Sequence, residues 1–313
     1  MLEECVNKRL FFVDALKAFA IVLVVLGHLS QYTPLQDEVY GKIVTVFHMP
    51  LFMAVSGFVT CPERIHIDKR VRLLVPFLIF GSVWTFVNHG SIVGFLTDEA
   101  KYGYWYLPVL LTFCLLLFLI RKIQMRIEYG MLVVELLLGS LHLAFHHSLV
   151  ATTLSTNHMF QLWPFFCLGI LLRKGWLEFL KRHRCVVYAT SILIVLVAMW
   201  GGQLLKAEGT LREYLNDFCS MFIVSSFFLL FAGLEKKHYR KQFVSRLGKN
   251  TLQIYVLHYF FLHLSMQIVG TTFTLPICLE AIIAPLFAVM VACLCILVSN
   301  LLHLFHLGWV FGR

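Results

Sequence analysis

The chain has 313 residues, of which 59% are hydrophobic, 15% aromatic and only 14% charged. A soluble domain carries nearer a quarter charged residues, so this composition excludes an ordinary soluble protein and points to a polytopic membrane protein. The net charge of +9 recurs in short loops between apolar runs, a topological pattern rather than the footprint of a nucleic-acid partner.

About 20 helical residues cross a hydrocarbon core of ~30 Å. Ten apolar segments approach that length: 11–31, 40–60, 72–90, 104–120, 130–147, 158–172, 185–202, 215–234, 250–270 and 276–303. The sixth is short, and Glu135 and His142 interrupt the fifth. They predict an all-α polytopic membrane protein with about ten transmembrane helices, filling 1–313 as one integral membrane domain. The nine cysteines show neither paired spacing nor a metal-type C-x-x-C. Most of them (Cys114, Cys167, Cys219, Cys278, Cys293 and Cys295) lie in apolar runs, where a free thiol is a small hydrophobe; disulfides are not implied.

The first segment, FFVDALKAFAIVLVVLGHLS at 11–30, follows Lys8 and Arg9 and superficially resembles a signal peptide. It is longer than a signal core, holds Asp14 and Lys17, and lacks a small-x-small cleavage site, so it reads as a retained span. Lys17 and His28 are eleven residues apart, which is about three turns, so they share one helix face roughly 16 Å apart. Asp14 lies three residues before Lys17 and can pair with it. Ionisable residues inside a membrane face the bundle interior or a water-filled cavity and point to function by default. A packing ion pair and an interfacial histidine would explain each alone; three on one stripe favour a role.

In the second segment, His48 lies a turn or two in, at a depth compatible with contact to His28. It is a second acid–base group, an oxyanion donor or a histidine satisfied within the bundle. Pro50 removes a backbone donor there and loosens the helix. Lys69, Arg70 and Arg72 cluster just before the third segment. Glu135 and His142 share a face of the fifth, with no role assigned, and His146 and His147 end it in solvent. These histidines form no tetrahedral set with zinc spacing, and no metal is expected. His258 sits near the middle of the ninth segment and Glu280 near the outer end of the tenth, both as candidate cavity residues.

With ten spans, the termini and every even-to-odd loop fall on one side. That side carries 21 Lys and Arg against 4 on the other, and Lys17 in the first span completes the 26. The bias is the positive-inside signature and predicts that both termini are cytoplasmic. One span more or fewer would scramble the alternation.

The pattern of Lys17, ten residues, then His28 in VDALKAFAIVLVVLGH, with Asp14 three before the lysine, resembles the acyltransferase-3 family of integral membrane acyltransferases. FHMPLFMAVSGF (47–58), RLLVPF (72–77), YWYLPVLL (104–111), FFCLGILLRK (165–174) and LGKNTLQIYVLH (247–258) match further family segments in the family's order. Where the family commonly has Arg-x-x-Arg, this chain has Lys69-x-x-Arg72, which keeps the charge but not a bidentate contact at the first position. The resemblance implies transfer of an acyl group, usually acetyl, from cytoplasmic acyl-CoA to a hydroxyl of a cell-surface glycan or glycolipid. It implies His28 as the catalytic histidine with Lys17 as its motif partner. It also implies the cytoplasmic (inner) membrane of a bacterium as the location, with membrane lipids and envelope biosynthesis proteins as neighbours.

The residues fit that chemistry. A sugar hydroxyl needs a base to attack a thioester, and histidine titrates in the useful range. Lys69, Arg70 and Arg72 suit the polyanionic end of CoA, although positive charge at a helix end explains them nearly as well. A transporter or flippase for a glycolipid or small solute is the competing reading; it would favour inverted repeats with broken helices in matching positions, and no such pair is evident. A catalytically silent relative acting as a structural partner is a third reading, against which the intact Asp14, Lys17 and His28 set argues.

Overall fold

The computed structural model describes residues 10–32, 38–145, 148–200, 210–237, 242–269 and 277–312. Lys8, Arg9, His146 and His147 lie outside them. The described residues contain helices and connecting turns and no strand. In chain order the helices are α1 (Phe11–Tyr32), α2 (Glu38–Val59), α3 (Ile67–Val71), α4 (Leu74–Val87), α5 (Ile92–Thr97), α6 (Tyr106–Lys122), α7 (Ile127–Phe145), α8 (Leu149–Leu154), α9 (Thr156–Leu171), α10 (Leu177–Arg182), α11 (Arg184–Trp200), α12 (Thr210–Ala232), α13 (Gln242–Lys249), α14 (Thr251–Val269) and α15 (Ile277–Leu304).

Each expected apolar segment coincides with one of α1, α2, α4, α6, α7, α9, α11, α12, α14 and α15, and the short helices sit at the junctions. Among the described residues, five stretches are long and apolar enough to cross a membrane: Phe11–Leu29, Ile67–Val87, Ile127–Phe145, Asn216–Glu235 and Leu279–Leu304. Phe47–Val59 and Arg184–Val197 are apolar but shorter. Helix α7, despite Glu135 and His142, is one of the five, and α9 has only 16 residues.

Helix α1 is the axis of the bundle. In its apolar window 72% of residues are buried, against 28–33% for the other four spanning stretches, and it packs against α2, α12, α13, α14 and α15. Apart from the stripe of Asp14, Lys17 and His28, its sequence is apolar all round, as a helix surrounded by others requires. The outer helices do the reverse: Leu132, Leu136 and Leu143 of α7 and Ile282, Leu286 and Leu297 of α15 are exposed, the exterior expected where lipid is the neighbour. Helix starts follow local rules. Pro76 and Pro108 occupy the first turns of α4 and α6, where a missing N–H is lost from an orphan position. The Glu235 carboxylate accepts the Phe12 N–H at 2.9 Å and so caps α1 from the α12 side.

The tightest crossing joins α2 to α9. A Cβ on Gly57 would lie 2.0 Å from the Phe166 carbonyl oxygen, and one on Gly169 would lie 1.9 Å from that of Ala54. The two backbones meet through reciprocal glycines, the small-residue contact that lets membrane helices approach closely.

Several basic residues do structural work at helix ends. Arg173 donates to the Phe58 carbonyl at 3.1 Å and Arg121 to that of Glu63 at 3.0 Å, satisfying carbonyls that a helix end or turn leaves open. Lys174 pairs with Glu128 at 3.1 Å and Glu63 at 3.7 Å. One cysteine departs from the sequence expectation: Cys61 is disulfide-bonded, while Cys114, Cys167, Cys185, Cys219, Cys293 and Cys295 are free. Sequence spacing alone carries no signal of that pairing.

Candidate active site

His28, near the end of α1, lines a cavity of about 630 Å³ whose walls include Trp84, Asn88, Asp98, Tyr102, Trp105 and Tyr259. Its Nε2 is 2.9 Å from the Tyr259 hydroxyl. The same hydroxyl lies 3.4 Å from the Gly103 carbonyl oxygen, which also accepts the Tyr255 hydroxyl at 2.7 Å. Tyr259 and Tyr255 are both almost fully buried.

Three histidines converge here, from α1, α2 and α14. The His28 ring centroid is 5.4 Å from that of His258 and 6.2 Å from that of His48. Both neighbours have their tautomers set by main-chain carbonyls, which can only accept. His48 Nδ1 donates to Val44 at 2.9 Å, and His258 Nδ1 donates to Tyr255 at 2.7 Å, with Ile254 at 3.2 Å. A neutral His48 therefore presents a lone pair at Nε2, so of the two roles open to it, oxyanion donor requires a second proton. His48 leans on the α1 backbone: a Cβ on Gly27 would be 3.3 Å from its Nε2. His258 is fully buried, and its Nε2 has no hydrogen-bond partner among the described residues.

The cavity wall formed by residues 98–105 is a built loop. Lys101, Tyr102 and Gly103 all adopt left-handed backbone, with φ of 48°, 50° and 99°, a conformation that non-glycine residues adopt at a cost of about 1 kcal/mol each. Side-chain ties hold it. Lys101 Nζ is buried and donates to the carbonyls of Asp98 at 2.6 Å and Thr152 at 3.0 Å. The Ser155 hydroxyl donates to the Glu99 carbonyl at 2.8 Å. His158 sits 3.4 Å from the Glu99 carboxylate, and its ring packs at a tilt against Trp105 with centroids 4.2 Å apart.

The His158 hydrogen bond holds the Glu99 carboxyl below its ordinary value, with burial acting in the opposite direction. A depressed folded-state pKa contributes stability that is complete above the unfolded value and is lost as pH falls through the folded one. Amide exchange in residues 98–105, corrected for the intrinsic rate, should therefore quicken as pH falls below the ordinary carboxylate range. Glu99→Gln should remove that pH response; equal protection at both ends of the range would refute the pair's role.

The remaining sequence candidates occupy other places. Asp14 is buried and Lys17 half-buried; Lys17 lies about 16 Å and Asp14 about 21 Å along α1 from His28, and neither lines the cavity. Gly248 of α13 presses on the Asp14 main chain, where a Cβ would lie 2.1 Å from the carbonyl oxygen. Lys69 and Arg72 are exposed at the α3–α4 junction and Arg70 is half-buried there, where α3 packs against α6. Tyr106 in turn is hydrogen-bonded to Ser56 at 2.5 Å and packs 5.3 Å from Tyr255. Hydroxyls thus lead from the Arg70 side of the bundle towards Gly103 and Tyr259. Glu280 is buried on α15 but is not part of the cavity wall. His142 is satisfied, with Nδ1 2.8 Å from Asn157 Oδ1 and its ring stacked on Phe160. Glu135 faces away, into a second cavity of about 710 Å³ beside Asp217 and Trp163. Among the described residues no group of acidic, histidine or cysteine side chains is disposed to hold a metal ion.

Sequence reasoning missed Tyr259, although it directly follows His258, and it missed the cavity wall of Trp84, Asp98 and Tyr102. The one available signal was Gly103 within an aromatic run. A Cβ there would strike the Tyr259 ring at 2.3 Å, so only glycine admits the tyrosine.

A family model described as "Acyltransferase domain" matches residues 10–304. Nodulation protein NolL of Sinorhizobium fredii (strain NBRC 101917 / NGR234) is 28% identical over 191 residues, covering 54% of this chain and 50% of its own length. Nodulation protein NolL of Mesorhizobium japonicum (strain LMG 29417 / CECT 9101 / MAFF 303099) is 28% identical over 196 residues, with coverages of 54% and 50%. The chain spans about half the length of the curated relatives it matches. No solved structure matches it.

Proposed function

The chain belongs to the acyltransferase-3 family, whose model spans residues 10–304, and from that premise we propose that it is a membrane O-acyltransferase. It moves an acyl group, acetyl in the first instance, from cytoplasmic acyl-CoA to a hydroxyl of a cell-surface glycan or glycolipid, in the inner membrane of a bacterium. The observation that carries this reading is the position of His28, a titratable group exposed to a polar, aromatic-lined cavity at one end of the central helix.

In this reading the acceptor enters the cavity and presents its hydroxyl to His28. Trp84 and Trp105 offer faces for a sugar ring, and Asn88 and Asp98 offer polar atoms to its hydroxyls. His28 takes the hydroxyl proton as the oxygen attacks the thioester carbon. The carbon–oxygen bond forms, the carbon–sulfur bond breaks, and the electron pair leaves on the CoA thiolate, to which the proton passes. The base contributes about 10²–10⁴-fold. The acyl donor approaches from the opposite end, its phosphates met by Lys69, Arg70 and Arg72. Lys17, half-buried between the two ends, neutralises charge on that route or holds Asp14.

The test is reconstitution. Purified protein in vesicles, given acetyl-CoA and a de-O-acylated surface glycan or glycolipid, should release CoA in equal amount to the ester formed. Removing the protein from its cell should lower the O-acyl content of surface glycans. Protein that neither binds nor turns over acetyl-CoA, yet moves a glycolipid or solute between leaflets, would replace this reading with transport.

A further inference from the structure

The Tyr259 hydroxyl has one proton and two acceptors within reach, His28 Nε2 at 2.9 Å and the Gly103 carbonyl at 3.4 Å. The carbonyl has two lone pairs, one already engaged by the Tyr255 hydroxyl. The phenol ring cannot drift: it lies 4.1 Å from the His258 ring, 5.6 Å from Trp84 and 5.5 Å from Tyr104. Glycine at 103 leaves no room for anything else against the ring. Only the hydroxyl hydrogen is free to turn.

From this geometry we infer that Tyr259 is the positioning residue of His28, switching from donor to acceptor as the imidazole gains its proton. The inference rests on the reading of His28 as the base. With His28 neutral, the phenol O–H donates to Nε2 and fixes the ring. The phenol hydrogen first turns to the Gly103 carbonyl, which frees the single Nε2 lone pair to take the proton of the acceptor hydroxyl. The same oxygen then accepts from the imidazolium N–H. No proton is gained or lost by Tyr259, and no heavy atom has to move. A hydrogen bond from an ionised donor is roughly twice as strong as a neutral one, so Tyr259 favours the protonated imidazole, the state that follows proton transfer. The strained 101–103 turn is then explained, because it places a carbonyl where a turning hydroxyl needs its second acceptor.

Other titratable groups face the same point. His48 reaches it from α2 and His258 from α14, while Asp98 and Tyr102 line the cavity. Tyr104 of the same wall and Tyr255 of α14 flank Tyr259. Glu280 lies on α15, which packs against α1. Lys17 is about three turns and Asp14 about four turns away on α1 itself. Of these, Tyr255 shares the Gly103 carbonyl with the Tyr259 hydroxyl, and the Tyr255→Phe variant below controls for it.

The test is Tyr259→Phe in the full-length protein, with pH–rate profiles on acetyl-CoA and a glycan acceptor. The expected result is a kcat lowered by about 10- to 100-fold, the loss of one hydrogen bond to an ionised group. KM for both substrates should stay within about twofold, and the acid limb of the kcat profile should move to lower pH. Gly103→Ala attacks the same bond from the other side by displacing the ring and should shift the limb in the same direction. It serves as the second reading should the phenylalanine variant not be recovered. Tyr255→Phe gives up only the other bond to Gly103 and should keep the parental limb. A Tyr259→Phe protein with parental rate, or with a lowered rate and an unmoved limb, overturns the inference, as does Gly103→Ala with the parental limb. If His28→Ala itself transfers at the parental rate, the reading of His28 falls and this inference with it. If His28→Ala is inactive while Tyr259→Phe is unaffected, only the positioning role fails.

Discussion

His28→Ala should abolish acyl transfer, lowering kcat by about 10²–10⁴-fold with little change in KM for acyl-CoA. In the proposed mechanism the variant removes the group that takes the acceptor proton, and the donor's phosphates, placed at the other end of α1, would not sense its loss. Nor should the fold suffer. His28 is only half-buried at the cavity wall, and the residues flanking it on α1, Gly27 and Leu29, carry the packing there. Tyr259 loses one acceptor but keeps the Gly103 carbonyl within 3.4 Å, so the truncation leaves no buried donor stranded. The same substitution at His48 or His258 is a different experiment, since each donates Nδ1–H to the main chain and helps to define the pocket rather than opening onto it. Equal rates for His28→Ala and wild type in a CoA-release assay would remove histidine base catalysis from the mechanism.

The stripe on α1 was legible because a helix has a fixed period. Spacing alone put Asp14, Lys17 and His28 on one face and gave their separation along the axis. The apolar segments likewise became helices where expected, since burial of twenty backbone amides away from water leaves the chain few alternatives. Length was the weaker guide: α9 and α6 are helical and well buried but too short to count as spans by themselves. The approach of His48 to His28 was legible from depth; that of His258, which the sequence places near the middle of its segment, was not. Glu280 shows the limit of that reasoning, because depth fixes a level in the bundle and says nothing of the direction a side chain faces. Tyr259 was not legible. Its partner His28 is 231 residues away, and aromatic residues are too common in this chain for one tyrosine to stand out. Nor does sequence reveal which carbonyl fixes a histidine's tautomer, which is what separates an acceptor from a donor at His48.

Gly169→Val should cost the protein its fold rather than its chemistry alone. A Cβ at 169 meets the Ala54 carbonyl oxygen at 1.9 Å and the Phe58 main-chain nitrogen at 2.6 Å. Both are backbone atoms in the last two turns of α2, so no side chain can rotate out of the way. The helices must separate by more than an ångström, and the reciprocal contact of Gly57 with Phe166 opens with them. Overpacking of a close-packed interior costs about 1–3 kcal/mol when side chains can adjust, so a rigid backbone clash belongs at or above ~3 kcal/mol. The consequence reaches the site because α2 carries His48 and rests on α1 beside Gly27. The expected result is a sharp fall in thermal stability and in monodisperse yield, with activity lost in proportion to folded protein. Gly233→Val is the control, since nothing lies within 4 Å of a Cβ there and its φ lies outside the left-handed region. A Gly169→Val protein of parental stability would mean that α2 and α9 do not meet backbone to backbone.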